Sequence, residues 1–354
     1  MSAHHAAFLC AAAGLVACIA SSTGGAGPVS RPAVPSQRDS ALMDAAARQV
    51  VVTRLARALD SLYVVPKRGE DLGRYVRNRL DEHAYDTAAS PRVFAAALSR
   101  DLSSIAHDLH LWVRYFPPLP STGGVPDLDE TWLNHGYPDV RILDGNVGYV
   151  DIRSFTAGVE AERASTAAMT LLADCDALII DLRNNGGGNT PAMVRVASYL
   201  FADSVHLSDL HWRDTGDTIH VWTHPNPVPA LRLSRQPAFV LTSRRTFSAA
   251  ENFAFSLQAL RRATLIGETT RGGAHTGKGL QDLGFGLRAL IPSGENLSPT
   301  SRTNWERSGV LPDVVAPDSS AFHTAYRTAI EVLIREAPTG PRYDRLERAL
   351  RAIH

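Results

Sequence analysis

The sequence has almost no cysteine, almost no lysine and, after its first twenty residues, no long apolar run. Each shortage excludes something. Of three cysteines, Cys10 and Cys18 fall in the N-terminal stretch, so Cys175 is the only thiol in the body of the chain and no disulfide can form there. Cys175 precedes the apolar run Ala177–Ile180 and is expected to be a small buried filler. With no later apolar span of about 18 residues, no helix after residue 20 is expected to cross a membrane. Net charge is also missing. Lys plus Arg and Asp plus Glu number 36 each, which leaves no overall field to attract nucleic acid or an anionic surface. The basic residues are nearly all arginine, a bias that suits a GC-rich genome better than a binding signal. There is no internal repeat. There is neither a spaced GxGxxG nor a glycine loop ending in Gly-Lys-Ser/Thr, so no nucleotide cofactor is indicated. Neither cofactor nor metal is expected.

What is present is globular in composition, and 354 residues suffice for one large domain and a small one. Residues 1–20 read as a secretory signal: Ala6 to Ala20 is apolar and small, and Ser, Thr and Gly follow. Leu15-Val16-Ala17-Cys18 resembles a bacterial lipoprotein cleavage box, with Cys18 as the lipidated residue and a lipid anchor to a membrane as the consequence. Ordinary cleavage after Ala20 or Ala26, or an uncleaved apolar leader, are the alternatives. Residues 21–40, rich in Ser, Gly, Pro and Ala, read as a disordered tether. The chain is then expected to be exported: periplasmic, anchored to the outer membrane, or secreted.

Residues 41–116 carry apolar residues at helical spacing and predict a small bundle of three or four helices. The last runs into His107-Asp108-Leu109-His110, after which Leu111, Val113 and Tyr115 alternate like a strand. A Pro/Gly-rich connector follows. Residues 140–336 predict an α/β core, with residues 337–354 as a tail. In that core, Ala177–Leu182 is a continuous apolar run, typical of a strand buried on both faces. It leads into Gly186-Gly187-Gly188, and Pro191 opens the next helix. Three glycines there bring backbone N–H groups close to a common point. An oxyanion hole suits them better than a phosphate cradle, and a tight turn with no ligand is the plain alternative.

The stretch Pro237–Ala263 repeats this pattern. Ala238–Leu241 predicts a buried strand, and Ala250, Phe253, Ala254, Leu257 and Leu260 form one helical stripe. Ser248 stands at the handover. It is either a helix N-cap or a nucleophile with helix N–H groups beside it.

The strings GNVGYVDIRSF, IIDLRNNGGG, TSRRTFSAAENFA, LIGETTRGGA and NWERSGVLPDVV occur here in order. Together they resemble the C-terminal processing peptidase superfamily, in particular the branch with the tricorn protease core and the interphotoreceptor retinoid-binding protein. The resemblance covers about residues 41–335. It implies a crotonase/ClpP-like spiral ββα core preceded by a small helical domain, without an inserted PDZ domain. It also implies that Ser248 is the nucleophile, with oxyanion donors at the N–H of Ala249 and of Gly187 or Gly188. The processing branch carries a lysine base where this chain has Gly273. The other branch uses a histidine that His110 matches, His107 matching less well. Glu306 matches the acidic residue of the tricorn-like site, where a serine before the histidine relays to it; this chain has Leu109 there.

Lys278, five residues past Gly273, is the alternative base, and His275 follows if neither serves. His110 is expected to titrate near neutrality, which suits a general base and acid. The implied function is that of a serine-type endopeptidase acting on peptides or unfolded proteins. The alternatives are a non-catalytic binder of apolar ligands on the same core, and a hydrolase of small esters or amides.

Overall fold

The computed structural model describes residues 43–117, 130–225 and 232–353. The signal and tether expected over 1–20 and 21–40, Cys18 included, lie outside the described residues. These described residues fall in one compact unit.

Three helices come first: α1 (Ala45–Leu62), α2 (Pro66–Asp81) and α3 (Pro91–Ala106). Each start is specified locally. The Asp44 carboxylate accepts the Ala47 N–H at 2.7 Å, and proline opens both α2 and α3. The last of these helices stops at His107, which adopts the left-handed conformation. The chain then enters β1 (Trp112–Tyr115).

The core follows as β2 (Asp139–Leu143), β3 (Val147–Asp151), α4 (Val159–Leu171), β4 (Ala177–Asp181) and α5 (Thr190–Ser198). Next come β5 (His206–Trp212), β6 (Thr218–Trp222), β7 (Ala238–Thr242), α6 (Ala249–Ala259) and β8 (Thr264–Gly267). The remaining elements are β9 (His275–Thr276), β10 (Leu280–Gly284), β11 (Leu287–Leu290), β12 (Gly294–Leu297), β13 (Val314–Val315), α7 (Asp318–Glu336) and α8 (Pro341–Ala352). The α/β core with a helical preface is therefore present.

The main sheet has the order β13-β8-β7-β4-β3-β2, parallel from β13 to β3, with β2 antiparallel at its edge. Its strands are covered on both faces. Leu178, Ile180 and Val240 pack with Met169 of α4, Val196 of α5 and Phe253 of α6. Ala177, Ile179 and Phe239 pack with Ala325 and Ile330 of α7 and Leu346 of α8. That is why β4 and β7 read as unbroken apolar runs. Cys175 is buried, as its setting predicts. Two smaller sheets, β6-β5-β12-β9 and β1-β11-β10, complete the architecture.

The helical preface is sewn to the core by the last of these. β1 pairs antiparallel with β11, and Leu59, Phe94 and Leu102 share one apolar cluster with Leu283, Leu287 and Ile291. Each such buried side chain contributes about 1.5–3 kcal/mol. This shared core holds the residues just before β1 against the main sheet.

Candidate active site

Two neighbouring parallel strands, β4 and β7, end side by side, and each hands over to a helix through a loop. Such strand ends form the crevice where α/β sheets place ligands. The two loops are tied together: Phe247 N–H donates to the Asn185 carbonyl at 3.0 Å, and Thr246 Oγ1 to the Leu182 carbonyl at 2.7 Å. Ser248 occupies the N-cap position of α6 at φ 58° and ψ −119°. A serine held at positive φ stores about 1–3 kcal/mol of strain, which persists only where the surroundings over-determine it. One such constraint is Gly187, itself at φ 104°: a Cβ there would lie 2.8 Å from Ser248 Cβ and 2.9 Å from the Phe247 carbonyl oxygen. The glycine lets the first loop close directly on the serine.

His110 and Ser248, 138 positions apart in sequence, are brought together with the help of the β1–β11 pairing, and His110 Nε2 lies 3.1 Å from Ser248 Oγ. A neutral imidazole can accept the serine hydroxyl proton in this geometry. The ring is stacked on Phe247, with centroids 4.4 Å apart. Its other nitrogen, Nδ1, is buried and has no partner among the described residues. Burial pushes the imidazole down to about 4, with the charge of Asp108 opposing and those of His275 and Arg271 adding to the fall. The near-neutral value expected from sequence is therefore not met, because the depth of the ring depends on how the preface docks. His107 is exposed and serves as the C-cap of α3.

No hydrogen bond joins Glu306 to His110. Its Oε2 accepts the N–H groups of Ala274 and His275 at 2.7 and 3.0 Å, and its Oε1 lies 3.7 Å from His275 Nδ1. His275 Nδ1 binds the buried Asp108 at 2.7 Å. Asp108 in turn accepts the His110 backbone N–H at 2.9 Å and the Tyr63 hydroxyl at 3.0 Å. Sequence reading missed this Asp108–His275 pair; Asp108, two residues before the base, was the available signal. Burial disfavours the charge on His275, but Asp108 and Glu306 outweigh it and hold the imidazole above its ordinary value. Burial likewise opposes the Asp108 charge, yet His275 and the two other donors leave it below the usual carboxylate range. For Glu306, burial and the Asp108 charge win and push it up.

Lys278 Nζ pairs with Asp214 at 2.8 Å and sits over the Trp212 ring. Both alternative bases, Lys278 and His275, are thus engaged with carboxylates.

Of the proposed oxyanion donors, the Gly187 N–H is taken by the Asn185 side-chain oxygen at 2.8 Å. The N–H groups of Gly188 and Ala249 meet no acceptor among the described residues, and both residues line a cavity of ≈ 340 Å³ beside Ser248. Leu210, Trp212, Asn252, Asn296 and Lys278 also line it. Free N–H groups at the start of a helix, next to a hydroxyl with a base, can stabilise a tetrahedral oxyanion.

Position 273 explains why a base on that loop and His110 exclude each other. A Cβ on Gly273 would lie 2.2 Å from Phe247 Cε2 and 2.9 Å from His110 Cε1. Gly273→Ala is therefore expected to displace the imidazole and lower kcat by about 100-fold with a smaller effect on KM, the penalty for misplacing a catalytic group by about 1 Å. Steady-state kinetics checks this.

Residues 146–316 match the family model of peptidase family S41. The carboxyl-terminal-processing protease of a Picosynechococcus species is 25% identical over 224 residues, covering 59% of this chain and 50% of that protein. The chloroplastic C-terminal processing peptidase of Tetradesmus obliquus is 32% identical over 182 residues, covering 48% of this chain and 34% of that protein. The chain thus spans half or less of the length of these relatives. Among solved structures, the tricorn protease superposes with a TM-score of 0.55 at 13% identity, covering 82% of this chain and 37% of that one. This is a likeness of fold.

Proposed function

From the match of residues 146–316 to the model of peptidase family S41, we propose that the chain is an exported serine endopeptidase that cleaves peptides or unfolded proteins. The observation that carries this reading is the 3.1 Å approach of His110 Nε2 to Ser248 Oγ. Ser248 Oγ attacks the scissile carbonyl while His110 Nε2 takes its proton. The N–H groups of Ala249 and Gly188 receive the developing oxyanion. His110 then returns the proton to the leaving amine, and water hydrolyses the acyl-enzyme by the same route. Glu306 acts at one remove, by holding His275 on Asp108. The alternative of an apolar-ligand carrier has less support, since Asn252, Asn296 and Lys278 make the cavity beside Ser248 partly polar. Incubation with a reduced, unfolded protein tests the reading: fragments should appear with the native chain and not with Ser248→Ala. Intact substrate in both cases would end it. A mass spectrum of the mature N-terminus tests export and the lipid on Cys18.

The histidines set the pH response. His110 must be neutral to act, and burial holds it at about 4. The acid limb of kcat/KM is therefore expected near pH 4, not near 6.5. Stability follows the same two rings with opposite signs. His110 titrates lower in the folded chain, so its contribution is whole above pH 6.5 and is lost as pH falls from 6.5 towards 4. His275 titrates higher in the folded chain, so its contribution is whole below 6.5 and is lost as pH rises through its folded value. Denaturation midpoints from pH 4 to 9 check both; in His110→Gln the loss on the acid side should shrink.

A further inference from the structure

We infer that His206, Asp209 and His220 form a site for one divalent transition-metal ion of the zinc type, apart from the catalytic crevice. The strands β5 and β6 pair antiparallel with Asp209 directly opposite His220. A bulge between His206 and Ser208 breaks the alternation of β5, which brings His206 onto the same face as Asp209. The result is convergence on one atom: His206 Nε2 and His220 Nδ1 lie 2.8 and 2.6 Å from Asp209 Oδ1. All three ligand atoms are within 4.8 Å of one another.

The supporting contacts are those a metal site needs. His206 is stacked on Trp222 and stands at 85° to the His220 ring, so two imidazoles approach the common point from different directions. The Asp209 side chain is 5% exposed, and its Oδ2 is held by Arg302 at 2.5 Å. That bond orients the carboxylate and leaves Oδ1 for the ion, as outer partners do in metal sites. A metal would replace the ring protons that now point at Oδ1. Bonds of about 2.0–2.2 Å to three ligands need each ring to withdraw by roughly half an ångström. Two imidazoles and one carboxylate suit Zn²⁺ and its neighbours over Mg²⁺ or Ca²⁺. The His220 side chain is 60% exposed, which leaves solvent access for the ion and for a water as fourth ligand. The buried Asp108–His275–Glu306 group belongs instead to the catalytic surroundings, since Asp108 also accepts the His110 backbone N–H and the Tyr63 hydroxyl.

The ion would clamp the edge strand β6 to β5, whose Leu210 and Trp212 line the cavity beside Ser248. The experiment is a titration of the chelator-treated chain with Zn²⁺ against a chromophoric chelator at pH 7.5, repeated with Co²⁺ to read its tetrahedral absorption bands. One equivalent should bind with Kd of about 10 μM or tighter. His206→Ala and His220→Ala should each weaken binding at least about tenfold, and His275→Gln should leave it unchanged. Circular dichroism verifies that each variant is folded. No saturable binding below about 100 μM, or binding that survives both substitutions or is lost in His275→Gln, would overturn the assignment.

Discussion

Ser248→Ala is expected to lower peptide hydrolysis by about a million-fold, His110→Ala by nearly as much, and the double variant by no more than either. The three values coincide because Oγ and Nε2, 3.1 Å apart, act as one unit: an imidazole with no hydroxyl to activate does nothing, and a hydroxyl with no base is a weak nucleophile. The residual rate, about 10³–10⁴ over water, would come from the oxyanion donors and substrate binding. Neither substitution should unfold the chain. The Ser248 N–H keeps its 2.8 Å bond to Glu251 in Ser248→Ala, and His110→Ala removes a ring whose Nδ1 is already unpartnered. Single-turnover rates on one fluorogenic peptide measure all three variants. Effects that multiply in the double variant would mean that the two residues act separately.

Glu251→Ala is expected to abolish activity by a different route, by removing more than about 4 kcal/mol of stability. Glu251 is fully buried at the first turn of α6. Its carboxylate accepts four hydrogen bonds: from Ser248 N–H at 2.8 Å, Thr270 Oγ1 at 2.6 Å, Gly272 N–H at 2.6 Å and Gly273 N–H at 2.9 Å. Burial pushes its pKa up, and the four donors resist that rise. The residue thus holds the strained serine and the loop bearing His275 on one pair of oxygens. Alanine would leave three N–H groups without an acceptor, two of them buried at about 1–3 kcal/mol each, and open a cavity. Stability of an ordinary domain is only about 5–15 kcal/mol. Urea denaturation should show the loss, and Glu251→Gln, which keeps one acceptor oxygen, should fall between. A Glu251→Ala chain as stable as the native one would show that the loop is held by other means.

Legibility in the sequence varied with the range of the interaction. The apolar run at Ala177–Leu182 and the strand-to-helix switch at Ser248 are local patterns, and both elements lie where those patterns put them. The short strands β9 and β12 were not legible: two and four residues carry no period, and they form because β5 offers an edge to β12 and β12 in turn offers one to β9. At the site, the meeting of His110 with Ser248 was drawn from a resemblance, and the geometry adds its means, the β1–β11 pairing. The Asp108–His275 pair was missed because its partners are 167 residues apart, and only the place of Asp108 two residues before the base hinted at it. Glu306 matched the acidic residue of the tricorn-like site, with Leu109 leaving its link to His110 open; one carboxylate oxygen is taken by the backbone of the neighbouring loop, and the other has no hydrogen-bond partner among the described residues. The state of His110 was misjudged for the same reason. Composition states that a histidine is present, but only packing sets its burial. Scarcity of lysine, by contrast, was in plain view. Lys67 and Lys278 are the only two, the first paired with Asp71 on α2 and the second with Asp214.

The most direct measurement is to treat the chain with a fluorophosphonate at neutral pH and map the adduct by peptide mass spectrometry. A Ser248 nucleophile activated by His110 should give one adduct, on Ser248, that is absent from Ser248→Ala and strongly slowed in His110→Ala. An unmodified Ser248 in folded protein, or an adduct that persists in Ser248→Ala, would contradict the account.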